Sequence, residues 1–436
     1  MDKLFKLSQH GTSVKTEVIA GVTTFFAMAY IIFVNPNFLS MTGMDYNAVV
    51  LATCISAAVG CFLTAFIANV PFAQAPGMGL NTFFTFSIVM GMGYTWQQGL
   101  TIVLISGILF LIVTISPLRS KVISSIPASL KSAIGVGIGL FLAFIGLVDS
   151  GIVSFASGVP DMGSITSGAP LLTLIGVVIT AVLIAYKVKG AIFIGIIITT
   201  LIGIPMGLTT APAEMTLQAS ILPTLFQFDF GGIFSLGVLP LFTAVISFFL
   251  VDMFDTVGTL IGTAENNGML DENGNLSGGD RALIADAIAT CTGACLGTST
   301  VTTYVESSAG MSEGGRTGLT SLVVGVLFLL STLVAPLVGV VPRAATCPAV
   351  IVVGVMMMGS VKNIDWSDFE VALPCFLTIA MMPFAYSIAD GIGFGIISYT
   401  LIKVFRGKFK EVPALMYILT VLFAAMYVLL FLPAAA

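Results

Sequence analysis

The sequence predicts an all-α polytopic membrane protein of about fourteen transmembrane segments, and three observations carry that prediction. Hydrophobic residues make up 57% of the 436 and charged residues only 8%, against about 25% charged in a soluble domain. Apolar runs close to the ~20 residues needed to span a bilayer recur along the whole chain. Lys and Arg fall between those runs, nearly all on alternate gaps, as the positive-inside rule requires. No long stretch carries ordinary surface charge, so a separate soluble domain is excluded. The net charge of −5 matters less than where each charge sits.

The apolar segments are 17–38, 47–69, 79–91, 97–116, 127–148, 170–187, 189–206, 235–262, 281–297, 303–313, 317–338, 344–360, 368–383 and 387–405, and a further run, 413–432, follows them. Segments 79–91 and 303–313 are too short to cross alone. With Lys3, Lys6 and Lys15 in the cytoplasm, Arg119, Lys121, Lys131, Lys187, Lys189, Arg281, Arg316, Lys362, Lys403, Arg406, Lys408 and Lys410 also fall on cytoplasmic sides. Of the 16 basic residues only Arg343 lands outside. Run 413–432 is either a fifteenth span or a helix lying against the bundle. The polar stretch Met1–Lys15 does not read as a cleavable signal.

The connection Gly207–Phe234 has no Lys or Arg and divides the chain into two halves that resemble one another. Ala52-Thr53-Cys54 matches Ala289-Thr290-Cys291, and Gly60 matches Gly297 at the same offset. The stretches that follow, A-P-G-M-G-L-N (75–81) and S-A-G-M-S-E-G (308–314), are short, glycine-rich and polar. An odd number of crossings per half makes the second copy inverted. Inverted halves with paired interrupted segments are the pattern of secondary transporters, with the site where the broken segments meet.

The stretch Ser247–Gly262 carries Asp252 and Asp255 within apolar sequence. A charge at mid-bilayer costs about 2.5–3.5 kcal/mol even on the lenient insertion scale. Three residues apart on a helix, the two acids share a face. Two further intramembrane polar clusters stand out, Thr302–Ser308 with Glu306 and Gly77–Thr82 with Asn81. Glycines allow close backbone approach, and a half-helix beginning in the membrane offers unpaired N–H donors. Carboxylates that accept N–H groups, facing amides that serve carbonyls and ring nitrogens, suit a small flat heterocycle. Phe25, Phe26 and Phe249 are candidates for stacking on it. Asp390 reads as a helix-terminus or gate residue, and Glu313 and Arg316 as a pair across a cytoplasmic turn.

Other chemistries fit less well. His10 is the one histidine, and the six cysteines lie in apolar segments without metal-ligand spacing, so no metal is expected. The loop Glu265–Arg281 lacks the glycine and glutamate of a calcium loop, with Leu276 and Ala282 in their places after Asp271, Asn273 and Asn275. An enzyme would need partners for D-M-F-D, or a second protease-like aspartate in a context that Asp390 does not have. Carboxylates at the site disfavour an anion carrier, and two interrupted segments describe a carrier more than a channel.

T-T-F-F-A-M-A-Y-I-I-F-V-N-P (23–36), A-P-G-M-G-L-N (75–81), D-M-F-D-T-V-G-T-L (252–260), T-T-Y-V-E-S-S-A-G (302–310) and E-G-G-R-T-G-L-T (313–320) resemble the AzgA-like purine permeases of the nucleobase–cation symporter-2 superfamily, over nearly the whole chain. The resemblance implies fourteen segments in two inverted repeats of seven, with interrupted third and tenth segments. It implies a core domain from 1–116 and 235–338, and a gate domain from 117–234 and 339–436 that includes the final apolar segment. Substrate contacts then fall on Gly79, Asn81, Asp252 and Glu306, and proton coupling on Asp255 and Glu306. The implied activity is proton-coupled import of adenine, guanine or hypoxanthine across the cell membrane, without cofactor or nucleic acid, in a chain that dimerises through its gate domain. Sodium coupling is the alternative, since the acids and free carbonyls can also ligate Na⁺.

Overall fold

The computed structural model describes residues 1–117, 119, 122, 125–156, 158–166, 168–209, 220–271 and 276–431. Lys121, Asn273 and Asn275 lie outside the described residues. The first apolar run forms α1 (Val14–Met28) and α2 (Ile31–Leu39). Ser13 caps α1 by accepting from the Thr16 N–H. Pro36 leaves the Ile32 carbonyl without an in-helix donor, and the chain tightens into a narrow turn at Ala29–Tyr30 before α2. That turn aims Tyr30 inward, at 1% exposure.

The rest of the first half comprises α3 (Tyr46–Leu63, with a widened last turn to Ala68), β1 (Gln74–Pro76), α4 (Met78–Thr82, continuing in a π-helical form to Gly91), α5 (Trp96–Ile115) and α6 (Ala128–Asp149). A small hairpin, β2 (Val153–Ser154) with β3 (Asp161–Met162), precedes α7 (Gly168–Ala185) and α8 (Ala191–Gly203). The second half contains α9 (Val238–Asn266), α10 (Gly279–Leu296), β4 (Val301–Thr303), α11 (Ser307–Ser312), α12 (Gly318–Ser331), α13 (Arg343–Met357), α14 (Phe369–Phe384), α15 (Ile388–Phe405) and α16 (Ala414–Phe431). Every apolar run read from the sequence is a helix or contains one. The shorter ones, such as the 13 residues of α8, rise only ~20 Å at 1.5 Å per residue.

The strands that lead into the two segments too short to cross pair with one another, fully buried. β1 and β4 pair antiparallel, with Gln74 opposite Thr303, Ala75 opposite Thr302 and Pro76 opposite Val301. Strand here solves a definite problem: chain without helical hydrogen bonds, deep in a bundle, needs another chain to satisfy its backbone. Around this pair α5 packs on α10, α3 on α12 and α10, and α1 on α11 and α12. Elsewhere α6 packs on α13 and α14, α7 on α8 and α13, and α14 on α15. α16 lies against α15.

Two details differ from the sequence reading. Glu313 does not pair with Arg316: its carboxylate takes Lys189 at 2.5 Å, while the Arg316 guanidinium donates to the carbonyls of Met311 and Gly315. The two guanidinium bonds to backbone carbonyls take the arginine's donors, and the lysine takes the acid. Gly60 and Gly297 also do different work. Gly60 lies within α3, where a Cβ would meet Gln74 Oε1 at 2.9 Å, so its absence admits β1. Gly297, at φ +90°, ends α10. In α10 it is Gly293 that faces a strand, with Val301 Cγ2 2.7 Å from where its Cβ would be.

The connection before α9 is fastened down. The Asp229 carboxylate accepts the Gly232 N–H at 2.7 Å and the Gln98 amide at 3.1 Å, which holds its carboxyl below the usual carboxylate range. Phe226 N–H donates to the Cys295 carbonyl at the end of α10. At the opposite end of the bundle, the buried Glu17 carboxylate accepts the N–H groups of Arg316, Thr317 and Thr320 and the Thr320 hydroxyl, so α1 caps the start of α12.

Candidate functional site

The site is built outward from the strand pair. Pro76 fixes an extended entry, and Gly77 then begins α4 without any capping side chain. A Cβ on Gly77 would lie 2.5 Å from Thr302 Cγ2, so only glycine lets the two strands close. Gly79, in the first turn, abuts α6: its missing Cβ would meet Ile138 Cγ2 at 2.5 Å. The half-helix therefore starts at the seam between α4 and α6.

A line of polar groups connects the predicted residues of the two short segments. Asn81 donates to the Pro76 carbonyl at 3.4 Å and accepts a very short bond from the Ser299 hydroxyl. Tyr304 donates to the same Pro76 carbonyl at 2.6 Å. Its ring lies 6.5 Å from that of Tyr30, which donates to Glu306 Oε1 at 2.7 Å. Asn81 is thus buried and already hydrogen-bonded, and it does not cap the helix start. Glu306 is partly exposed, with the chain on either side turned by the carbonyls of Tyr304 and Val305.

The two acids of α9 divide. Asp252 is 1% exposed, with Oδ2 accepting from Thr290 at 2.8 Å and Oδ1 without a hydrogen bond inside 3.5 Å among the described residues. Asp255, one turn on, is partly exposed. A third acid, Asp286 of α10, is fully buried. It accepts from Thr303 at 2.8 Å and Gln74 at 3.2 Å through Oδ1, and from Thr256 at 2.9 Å through Oδ2. Thr256 and Thr302 are 2.8 Å apart. Asp286 therefore ties α9, α10, β1 and β4 together at one point. Sequence reasoning missed it, and missed Tyr30. The available signal was an acid two turns inside an otherwise apolar helix, overshadowed by Asp280 and Arg281 at the helix start.

The aromatic candidates fall in three places. Phe25 packs on Phe328, Phe26 is 43% exposed beside Phe193 of α8, and Phe249 packs on Phe110 of α5. None of these contacts touches the Tyr30–Tyr304–Glu306 line. Among the described residues no cluster of three metal-ligating side chains occurs.

A bundle of apolar helices enclosing paired broken segments and a nest of carboxylates defines a multi-pass membrane transport protein. Residues 15–394 match the Permease family, and the chain belongs to that family, whose members are transporters and not enzymes. A putative permease of Methanocaldococcus jannaschii is 47% identical over 99% of this chain and 98% of its own length. Adenine permease AdeP of Escherichia coli is 42% identical over 97% of this chain and 95% of its own. Guanine/hypoxanthine permease PbuG of Bacillus subtilis is 43% identical over 99% and 100%. Among solved structures, the transmembrane domain of a cyanobacterial bicarbonate transporter, BicA, shares the fold at TM-score 0.65 and 16% identity, covering 86% of this chain and 97% of that one.

Proposed function

We propose that this protein imports purine nucleobases by proton symport, through alternating access. The observation that carries the substrate class is full-length likeness at over 40% identity to both an adenine permease and a guanine/hypoxanthine permease. The site's chemistry agrees: carboxylates and backbone groups suit a neutral base rich in N–H and carbonyl groups.

In this reading the chain inserts with its N-terminus in the cytoplasm as fourteen segments in two inverted repeats. Residues 1–116 and 235–338 form the core, and 117–234 and 339–436 the gate. Supporting this division, α5 packs on α10 within the one set, and α6 on α13 and α14 within the other. Glu306, open to a ligand and oriented by Tyr30, accepts N–H groups of the base. Asp252 offers its Oδ1, and the first turn of α4 at Gly79 offers N–H donors. Asn81 holds the backbone that presents them.

Asp255 and Glu306 take up and release the proton as solvent access changes sides. One proton moving down 100 mV supplies about 2.3 kcal/mol, roughly fifty-fold accumulation. A dimer through the gate domain completes the proposal.

The test is uptake by reconstituted protein under an imposed pH gradient without sodium, competed with adenine, guanine, hypoxanthine and uracil. Purine uptake that needs the gradient supports proton symport, and uptake that needs sodium overturns it. Asp252→Asn is expected to lose purine binding. Asp255→Asn is expected to keep binding and exchange but lose gradient-driven accumulation. The reverse pattern would exchange the roles of the two acids.

A further inference from the structure

The turn between α14 and α15 carries an unusual residue. Helices that end in a left-handed residue most often place glycine there. Here α14 ends at Phe384, and Tyr386 takes the left-handed conformation at φ +55°. For a bulky aromatic this is an outlier that persists only where the surroundings hold it. Three rings do so, all edge-on: Phe86 at 5.9 Å, Phe141 at 5.7 Å and Phe144 at 5.6 Å between centroids. Phe86 in turn meets Phe38 of α2. Beside the ring, the Ile388 N–H donates to the Ser87 hydroxyl at 3.3 Å.

The position of this cluster relative to the site gives it meaning. Gly79 of α4 meets Ile138 of α6 at the site, and further along the same two helices Phe86 meets Phe141. Phe86 is seven residues beyond Gly79 on α4 and Phe141 three beyond Ile138 on α6, so the ring cluster lies roughly 5–10 Å beyond the site. By the Lys and Arg distribution both helices run outward there. The seam that starts at the site thus ends, on the external side, under Tyr386.

We propose that Tyr386 is the outer gate of the permeation route: its ring, wedged between Phe86 and the α6 pair Phe141 and Phe144, closes the seam from the outside and withdraws when the site opens outward. This rests on the two-body reading of alternating access above. The Tyr386 turn belongs to the gate set and Phe86 and Ser87 to the core set, so relative motion of the two has to break this contact. The backbone strain at Tyr386 makes the closed position releasable.

The experiment uses the full chain in right-side-out vesicles, with Ser87→Cys labelled by a membrane-impermeant thiol reagent added outside. The unsubstituted chain supplies the background from its own cysteines. Ser87→Cys alone is expected to react slowly. Adding Tyr386→Ala is expected to raise the rate tenfold or more, while Tyr386→Phe, which keeps the ring, leaves the rate as it was. Phe144→Ala removes the opposite side of the wedge and gives the same increase if Tyr386→Ala fails to accumulate. An unchanged rate in a variant that reaches the membrane with normal thermal stability overturns the proposal, as does labelling from the cytoplasmic side only. The readout needs no substrate, so a failure of the purine reading shows separately, as absent uptake by the unsubstituted protein.

Discussion

Removing one oxygen atom from Tyr30 tests whether Glu306 is held in place for a ligand. In Tyr30→Phe the ring keeps its buried position and its neighbour Tyr304, so no cavity of consequence forms. What disappears is the 2.7 Å bond to Glu306 Oε1. Hydrogen bonds to charged groups contribute about 1.5–3 kcal/mol. Glu306 is partly exposed, so water replaces some of the loss and the lower end applies. A loss of ~1.5 kcal/mol is about a tenfold weaker affinity. The assay is purine binding to purified protein, alongside the KM for uptake, with Tyr304→Phe as the comparison that loses only a bond to the neutral Pro76 carbonyl. Tenfold weaker binding with a much smaller change in maximal rate is expected. Affinity within twofold of the unsubstituted protein, in a normally stable variant, refutes the assignment of Tyr30 as the residue that positions Glu306.

Glu17→Ala strands three backbone N–H groups at the start of α12, of which water recovers some. A loss of about 3 kcal/mol is expected, read as a thermal midpoint lowered by several degrees in detergent, with Glu17→Gln affected less. Gly79→Ala drives a methyl group into Ile138 and overpacks the seam by about 1–3 kcal/mol; transport is expected to fall while Gly79→Ala/Ile138→Ala recovers it. Asp229 is held below the ordinary carboxylate range by Gly232 and Gln98. Its stabilisation is therefore complete above that range and lost only as the pH falls through the lowered value. Proteolysis of the connection is expected to stay slow at pH 5 and rise in strong acid, whereas Asp229→Asn, which has no carboxylate to titrate, is cleaved at a rate that does not change over that range.

The apolar runs, their order and the two short segments were legible because bilayer thickness leaves a strong signature in hydropathy. Asp252 and Glu306 stood out as candidates because a charge in such a run is costly. Tyr30 was hidden because a tyrosine inside F-A-M-A-Y-I-I-F looks like any other core aromatic; only the turn at Ala29 gives its hydroxyl a direction. Asp286 was hidden because its importance is relational: its partners are Gln74, Thr256 and Thr303 on three other elements. The expected Glu313–Arg316 pair failed for a similar reason, as adjacency in sequence said nothing of Lys189 arriving from a distant turn.

The pairing of β1 with β4 also sets a clock for synthesis. At 5–20 residues per second, β4 leaves the ribosome roughly 10–50 s after the β1 residues it pairs with. Throughout that interval β1 has no partner strand, and bare backbone is not tolerated in lipid. The first half must therefore wait with its short segment in water, in the insertion machinery or in a provisional arrangement. Assembly of the centre is necessarily a late event, and a chain truncated before Val301 has no means of completing it.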